Sequence, residues 1–141
     1  MKLKLVAASP DVETVIATAM LTTCSQEGPA EIFRELKGRP EKVGKLLRGL
    51  ILKHGSVIEH NRFIFLAEGS EAEMLELLLA SRFIEVSRLG EGRWLLSCNA
   101  RTIIELLTGH QNLPPGVREA FSEALRRAAP TLWEKVVGRG G

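Results

Sequence analysis

The spacing of apolar residues predicts short strands and amphipathic helices along the first part of the chain. Apolar and basic residues alternate over 2–7, which predicts a strand with alternate side chains on opposite faces. Apolar residues three and four positions apart predict one helix over 12–20 and another over 41–51. Gly-Pro and Gly-Arg-Pro breaks enclose a shorter helical stretch around 32–36.

Strands and helices follow without regular alternation in the second part. The predicted elements are a strand over 61–67, a helix over 71–81, strands over 83–88 and 93–98, and helices over 99–109, 114–129 and 132–137. Ser70 and Glu73 form a capping-box signature, and Leu89-Gly90-Glu91-Gly92 is typical of a hairpin turn. Because this order lacks repeated βαβ units, we expect a single α+β domain over 1–141, with a small, mainly antiparallel sheet packed with helices.

Several residues indicate where individual helices begin and end. Ser9 followed by Pro10 predicts the cap and first position of the first helix, and Asn99 predicts the cap of a later one. Gly55 predicts a left-handed glycine that ends the helix over 41–51. The same interpretation places His54 at the C-terminal end of that helix.

Composition and charge narrow the classes of function. The chain has 141 residues, 45% of them hydrophobic, and a net charge of +2 spread along the sequence, so no nucleic-acid partner is predicted. Cys24 and Cys98 stand far apart without a CxxC motif, which favours reduced thiols and a cytoplasmic location. The first residues do not resemble a signal peptide, and no apolar stretch approaches the roughly 20 residues that span a bilayer, so no membrane partner is expected.

The segment KHGSVIEHNRFIF, residues 53–65, collects polar side chains at a helix-to-strand junction. His54, Glu59 and His60 are metal ligands in kind, but their spacing straddles a turn and matches no metal motif, so no metal is predicted. Ser56 lacks the GxSxG context of a nucleophile, and the catalytic residues stay unknown.

A second segment, SCNARTIIEL, leads from a strand into a helix at residues 97–106. Asn99 caps the helix, and Arg101 lies in its first turn, where the helix dipole favours an acidic residue instead. Free backbone N–H groups beside a guanidinium could hold an anion such as a phosphate. An ordinary cap with a solvated Arg101 is the alternative interpretation, and both stay open.

Together these segments resemble the flavin-dependent thymidylate synthases (ThyX). HGSVIEHNRFIF is similar to the family's Hx[ST]PxEHxxFTF motif, and WLLSCNARTIIEL is similar to its NAR segment. MKLKLVAASPDVETVIATAM and LRRAAPTLWEKVV resemble its first and last elements. The resemblance implies a homotetramer that holds FAD between subunits, and a reaction in which NADPH-reduced flavin helps to convert dUMP to dTMP with a methylene group from methylenetetrahydrofolate.

The resemblance also implies a set of cofactor-binding residues. His54 and Ser56 match residues that line the flavin site, and Asn99 and Arg101 match the NAR residues that contact flavin. Glu105 falls where an asparagine commonly contacts the flavin.

The chain departs from the family pattern at the positions that bind and activate dUMP. No RHR motif occurs in the sequence, and Arg82 is the sole basic residue where that motif belongs. His110 stands in place of an arginine, and Val57 replaces a proline. We therefore expect binding of flavin or of dUMP or a related nucleotide in an oligomer interface, with dTMP synthesis lost or altered. The alternative is a non-catalytic homo-oligomer, dimer or tetramer, or a partner subunit of a full-length synthase, with residues 61–67 and 71–81 supplying the subunit surface.

Overall fold

The chain forms a four-stranded antiparallel sheet packed with helices, in a computed structural model that describes residues 1–52, 55–109 and 112–138. The elements are β1 (Lys2–Ala8), α1 (Val12–Thr22), α2 (Pro29–Lys37), α3 (Pro40–Gly49), a short 3₁₀ helix (Gly55–Glu59), β2 (Phe63–Glu68), α4 (Glu71–Ala80), β3 (Glu85–Gly90), β4 (Arg93–Cys98), α5 (Ala100–Thr108), α6 (Val117–Ala128) and α7 (Pro130–Val137). The predicted α+β class is confirmed.

The sheet has the order β1-β2-β4-β3, with every neighbouring pair antiparallel. Phe65 in β2 is paired with Leu5 on one side and Leu96 on the other, and all three side chains point to the same face. Phe65 and Leu96 are fully buried, and the Phe65 ring meets the Phe121 ring of α6 edge to face, with ring centres 5.3 Å apart. This face of the sheet therefore carries the core.

The opposite face of the sheet is open to solvent. Lys4, Leu66, Leu95 and Ser87 stand in one row across the four strands. Lys4, Leu95 and Ser87 are exposed, and Leu66 is half-buried. The strands thus alternate between a buried apolar face and a mixed outer face, as a sheet covered on one side requires.

Three of the local signals in the sequence are confirmed. Ser70 and Glu73 form a complete capping box at the start of α4. Asn99 caps α5 through its side chain, and β3 and β4 form the predicted hairpin around Glu91. Each of these features depends on residues close together in the chain, so the local sequence is sufficient to specify them.

The predicted cap of the first helix is wrong. Helix α1 begins at Val12, after Asp11, whose φ of 53° lies in the left-handed region. The Ser9 hydroxyl instead accepts a hydrogen bond from the backbone N–H of Arg62 at 2.8 Å, and the Ser9 N–H donates to the Arg62 carbonyl at 2.8 Å. Ser9 therefore joins the end of β1 to the start of β2.

The predicted end of the helix over 41–51 is also wrong. Helix α3 ends at Gly49, and Leu50 has an extended backbone with φ −66° and ψ 132°. Gly55 begins the 3₁₀ helix, and it is not among the glycines with positive φ, which in the described ranges are Gly92 and Gly116. His54 lies outside the described residues.

The last long helix starts later than the paired prolines suggested. Helix α6 begins at Val117, directly after Gly116, whose φ of 88° makes the turn. The tail over 130–137 is helical as predicted. Among the described segments, no helix is both long enough and apolar enough to cross a membrane.

Candidate functional site

The two segments singled out in the sequence meet through one buried side chain, that of Asn61. Its amide nitrogen donates to the carbonyl of Ile58 at 2.8 Å, at the end of the 3₁₀ helix. Its amide oxygen accepts from the backbone N–H of Ala100 at 2.7 Å, at the first position of α5. Asn61 therefore fixes the 3₁₀ helix against the start of α5.

The first turn of α5 uses most of its own donors. The Asn99 side-chain oxygen accepts from the Thr102 N–H at 3.0 Å and from the Thr102 hydroxyl at 3.2 Å. Ala100 is already bonded to Asn61. Within the part of the chain that the structure describes, the Arg101 N–H and the Asn99 side-chain nitrogen have no hydrogen-bond partner.

The Arg101 guanidinium lies between two carboxylates. Its Nη1 donates to Glu59 Oε1 at 2.5 Å, and its Nε donates to Glu105 Oε1 at 3.2 Å. The hydrogen bond to Glu59 is the main reason that the pKa of Arg101 is raised above its ordinary value. Arg101 is thus partly exposed beside an ordinary Asn99 cap, and it is also paired with two carboxylates.

Gly55 lies in close contact with the side chain of Arg101. A β-carbon at Gly55 would lie 3.0 Å from Arg101 Nε and 3.3 Å from its Cδ. A side chain here would push the guanidinium away from its present place. The glycine of the HGS segment is thus explained by close approach to Arg101 and not by helix termination.

An open, polar cleft of about 650 Å³ lies beside this arrangement, and we call it the polar cleft. Its lining residues are Ser9, Glu59, His60, Asn61, Arg62 and Asn99. Arg62 Nη2 is 2.8 Å from Glu85 Oε1, so both cations near the cleft are paired with a carboxylate. The cleft has the size of a small-molecule site, and its lining is rich in hydrogen-bonding groups.

A second, smaller cleft of about 270 Å³ lies on the other side of Arg101, and we call it the apolar cleft. Leu52, Ile58 and Ile104 supply its apolar wall, and Arg101, Glu105 and Thr108 complete its lining. Because Glu59 lines the polar cleft and Arg101 lines the apolar one, their ion pair marks the boundary between them.

The predicted cofactor-binding residues take different places around these clefts. Asn99 lines the polar cleft, whereas Arg101 and Glu105 line the apolar one. Ser56 is exposed on the 3₁₀ helix and lines neither cleft. His54 lies outside the described residues. Across 1–52, 55–109 and 112–138, no three His, Cys, Asp or Glu side chains are grouped to hold a metal ion.

Sequence reasoning did not predict that Asn61, Arg62 or Ser9 would line the cleft. Asn61 follows the EH pair and precedes a strand, a position whose burial could not be inferred from hydrophobic spacing. Ser9 and Arg62 are 53 residues apart, and only the pairing of β1 with β2 brings them together. Their role at the cleft depends on contacts between distant parts of the chain.

Comparison with known proteins agrees with the motifs. The chain is 30% identical to the flavin-dependent thymidylate synthase of Clostridium tetani over 147 aligned residues, which cover 99% of this chain and 57% of that enzyme. In sequence the chain is thus similar to the flavin-dependent thymidylate synthases (ThyX). It spans little more than half the length of that relative, and no protein-family model matches it.

Solved structures show that the chain shares its fold with a flavin-dependent thymidylate synthase and with a UMP/dUMP methylase. ThyX from Helicobacter pylori, complexed with FAD and dUMP, matches with a TM-score of 0.65 and 16% identity, covering 96% of this chain and 99% of that one. The UMP/dUMP methylase PolB from Streptomyces cacaoi, bound with 5-Br dUMP, matches with a TM-score of 0.61 and 15% identity, covering 94% and 93%. At these identities the likeness supports the fold.

Proposed function

We propose that this ThyX-like protein binds a flavin nucleotide, FAD in the first place, at the polar cleft in an interface between subunits. The observation that carries the proposal is the contact of the two motif segments through Asn61, Gly55 and Arg101. Asn61 and Asn99, which belong to the two segments, thereby line the same cleft. The relationship to a flavin-dependent synthase and a fold shared with an FAD-bound neighbour support the same ligand.

The residues around the cleft offer contacts to part of the FAD molecule. Asn99 and Arg62 line the polar cleft and offer donors for phosphate and hydroxyl oxygens. Arg101 offers further donors from the apolar cleft, where the half-buried Leu52 offers an apolar contact for a planar ring. The cleft is open, so a molecule as long as FAD would extend beyond it. A second subunit covering the rest is consistent with the proposed interface site. When bound, the flavin would supply redox chemistry, and NADPH would be needed only where catalysis survives.

We further propose that methylation of dUMP to dTMP is lost or altered in this chain. The sequence has no RHR motif, and it carries His110 where an activating arginine is expected. A mostly neutral histidine does not replace the fixed charge and bidentate donors of arginine. dUMP or a related nucleotide is retained as a second ligand to be tested.

Thermal stabilisation by added ligand tests the binding proposal. Protein purified without added ligand is examined for flavin absorbance, and its melting temperature is measured with FAD, FMN and dUMP. A ligand at 100 times its Kd stabilises the folded state by about 2.7 kcal/mol. We expect FAD to raise the melting temperature of the wild type and of Arg34→Met, but less that of Arg101→Met. Arg34 is an exposed residue of α2 and serves as a matched loss of charge. A colourless protein that no flavin or nucleotide stabilises would refute the proposal.

A second candidate function is that of a non-catalytic homo-oligomer, dimer or tetramer, or of a partner subunit of a full-length synthase. Leu75 and Leu79, one turn apart on α4, are 56% and 78% exposed, which favours a subunit contact there. Leu66 and Leu95 on the outer sheet face add apolar surface. Sedimentation of the wild type should give an oligomer that Leu79→Glu dissociates. Gln26→Glu, which adds the same charge at an exposed residue outside α4, should leave it intact. A strict monomer at high protein concentration would exclude the homo-oligomer.

The cellular location is proposed as cytoplasmic. Cys24 and Cys98 are both free, one exposed and one buried, so no disulfide links them. Free thiols are typical of reducing compartments. Fractionation of cells that express the tagged protein tests this location.

A further inference from the structure

An exposed ion pair joins the lining of the polar cleft to the lining of the apolar cleft. The side chains of Arg101 and Glu59 are 38% and 45% exposed, and their contact joins a lining residue of one cleft to a lining residue of the other. On the apolar side the boundary faces Ile58 and Ile104, and on the polar side it faces Asn99. In a ligand that lies across both clefts, the part that links an anionic group to a planar ring would contact this ion pair.

The pair is weak enough to be opened by such a ligand. Exposed ion pairs contribute about 0–1 kcal/mol, because water screens them and two side chains must be ordered. A phosphate group offers three acceptor oxygens and can bind a guanidinium through two parallel hydrogen bonds. Phosphate can therefore replace Glu59 at Nη1 while Glu105 continues to hold Nε.

Glu59 also opposes the ligand directly. Its carboxylate lines the polar cleft and repels an anion that approaches Arg101. The nearby Arg62 is paired with Glu85, so this second cation offsets the repulsion only where the ligand also opens that exposed pair. Glu59 thus disfavours binding of every ligand except one whose strongly anionic group bonds to Arg101.

We propose that Glu59 is a specificity-determining residue, an internal competitor that the phosphate of a flavin or nucleotide displaces from Arg101. With its phosphate on Arg101, the same ligand places its planar ring against Leu52 of the apolar cleft. The proposal rests on the proposed function and adds the ligand class: a phosphate ester of a planar ring, selected over the ring without phosphate.

The test compares ligands that differ only in the phosphate, on variants that differ only in where a charge is removed. Binding of FMN against riboflavin, and of dUMP against deoxyuridine, is measured for the wild type, Glu59→Gln and Glu76→Gln. Glu76 is an exposed carboxylate on α4 and controls for net charge. We expect Glu59→Gln to lower the Kd of FMN about fivefold, which corresponds to about 1 kcal/mol. The Kd of riboflavin should stay unchanged in Glu59→Gln, and the Kd of FMN should stay unchanged in Glu76→Gln. The comparison of dUMP with deoxyuridine shows whether a pyrimidine nucleotide is bound in the same way.

A ligand-free measurement separates this proposal from the proposed function. Phenylglyoxal modification of Arg101, followed by mass spectrometry, should be faster in Glu59→Gln than in the wild type and Glu76→Gln, and inorganic pyrophosphate should slow it. If the wild type binds FMN but Glu59→Gln binds it no more tightly, the competitor role is wrong and flavin binding stands. If no variant binds any flavin or nucleotide, the proposed function fails. Unchanged Arg101 modification across the variants would overturn the competitor role on its own.

Discussion

The side-chain oxygen of Asn61 accepts a hydrogen bond from the Ala100 backbone N–H at 2.7 Å, across 39 residues of sequence. The other end of the same amide donates to Ile58. One buried side chain therefore sets the distance between the 3₁₀ helix and α5, and with it the shape of the polar cleft. This contact gives a stability prediction that requires no ligand.

Replacing Asn61 by alanine leaves two polar groups, the Ala100 N–H and the Ile58 carbonyl, without their partner. An unsatisfied buried group costs about 1–3 kcal/mol, so we expect Asn61→Ala to lower the free energy of unfolding by about 2–4 kcal/mol. Urea unfolding followed by circular dichroism measures the change. Asn112→Ala, at an exposed loop residue, should alter stability by less than about 0.5 kcal/mol. Equal effects of the two substitutions would contradict the structural role of Asn61.

Placing a methyl group at Gly55 should affect ligand binding more than folding. The backbone there accepts alanine, but the new β-carbon would lie 3.0 Å from Arg101 Nε, so the arginine side chain must shift by a few tenths of an ångström. We expect Gly55→Ala to change stability by less than about 1 kcal/mol and to weaken FMN binding several-fold. Gly28→Ala is the matched control, since a β-carbon there meets no atom within 4 Å. Undiminished FMN binding by Gly55→Ala would show that the position of Arg101 does not matter.

The two cysteines should differ sharply in reactivity. Burial raises the pKa of the Cys98 thiol to about 12, so at pH 8 almost none of it is the reactive thiolate. Cys24 is exposed at the end of α1. Iodoacetamide should therefore label one site per native chain and two in urea, as counted by mass spectrometry. Native labelling should disappear in Cys24→Ser; persistence at Cys98 would place that thiol at the surface.

Protonation of Glu13 should stabilise the folded protein at mildly acidic pH. Its carboxylate accepts from the Leu132 N–H at 3.0 Å, and burial raises its pKa above the ordinary value. Because the folded state binds this proton more tightly than the unfolded state, the contribution of Glu13 to stability grows as the pH falls through the raised pKa. At neutral pH the buried charge lowers stability.

The variant Glu13→Gln keeps an acceptor for Leu132 without the charge. We expect it to be more stable than the wild type at pH 7, with the difference shrinking as the pH falls towards 4.5, the ordinary glutamate value. Chemical denaturation across this pH range measures both proteins. Glu31→Gln, at an exposed residue of α2, should show no such convergence. A constant difference at every pH would mean that desolvation of Glu13 is not its cause.

Local sequence signals predicted the elements that local interactions determine. The capping box at Ser70 and the cap at Asn99 depend on groups three residues apart, and both are present. Ser9 carried an equally good cap signal, but its hydroxyl is bonded to Arg62, 53 residues away. Tertiary pairing of β1 with β2 takes precedence over the local preference.

The residues of the site also divide into those that local sequence predicts and those that depend on tertiary contacts. Asn99 and Arg101 could be chosen from the NAR motif, but the carboxylates that flank the guanidinium could not. Glu105 is one helical turn from Arg101, so that contact was within reach of helix spacing. Glu59 is 42 residues away, and its pairing depends on how Asn61 seats the 3₁₀ helix against α5. The electrostatic state of Arg101 therefore required the three-dimensional structure.

The register of the sheet has a consequence for how the chain can associate. The two edge strands are both irregular: the pairing shifts between Leu5 and Ala7 in β1, and between Arg88 and Gly90 in β3. Bulged edges, with charged residues such as Lys2 and Lys4 along β1, present a broken row of hydrogen-bonding groups to another chain. Growth by strand addition is thereby discouraged, which protects a protein whose outer sheet face carries Leu66 and Leu95 from ordered aggregation.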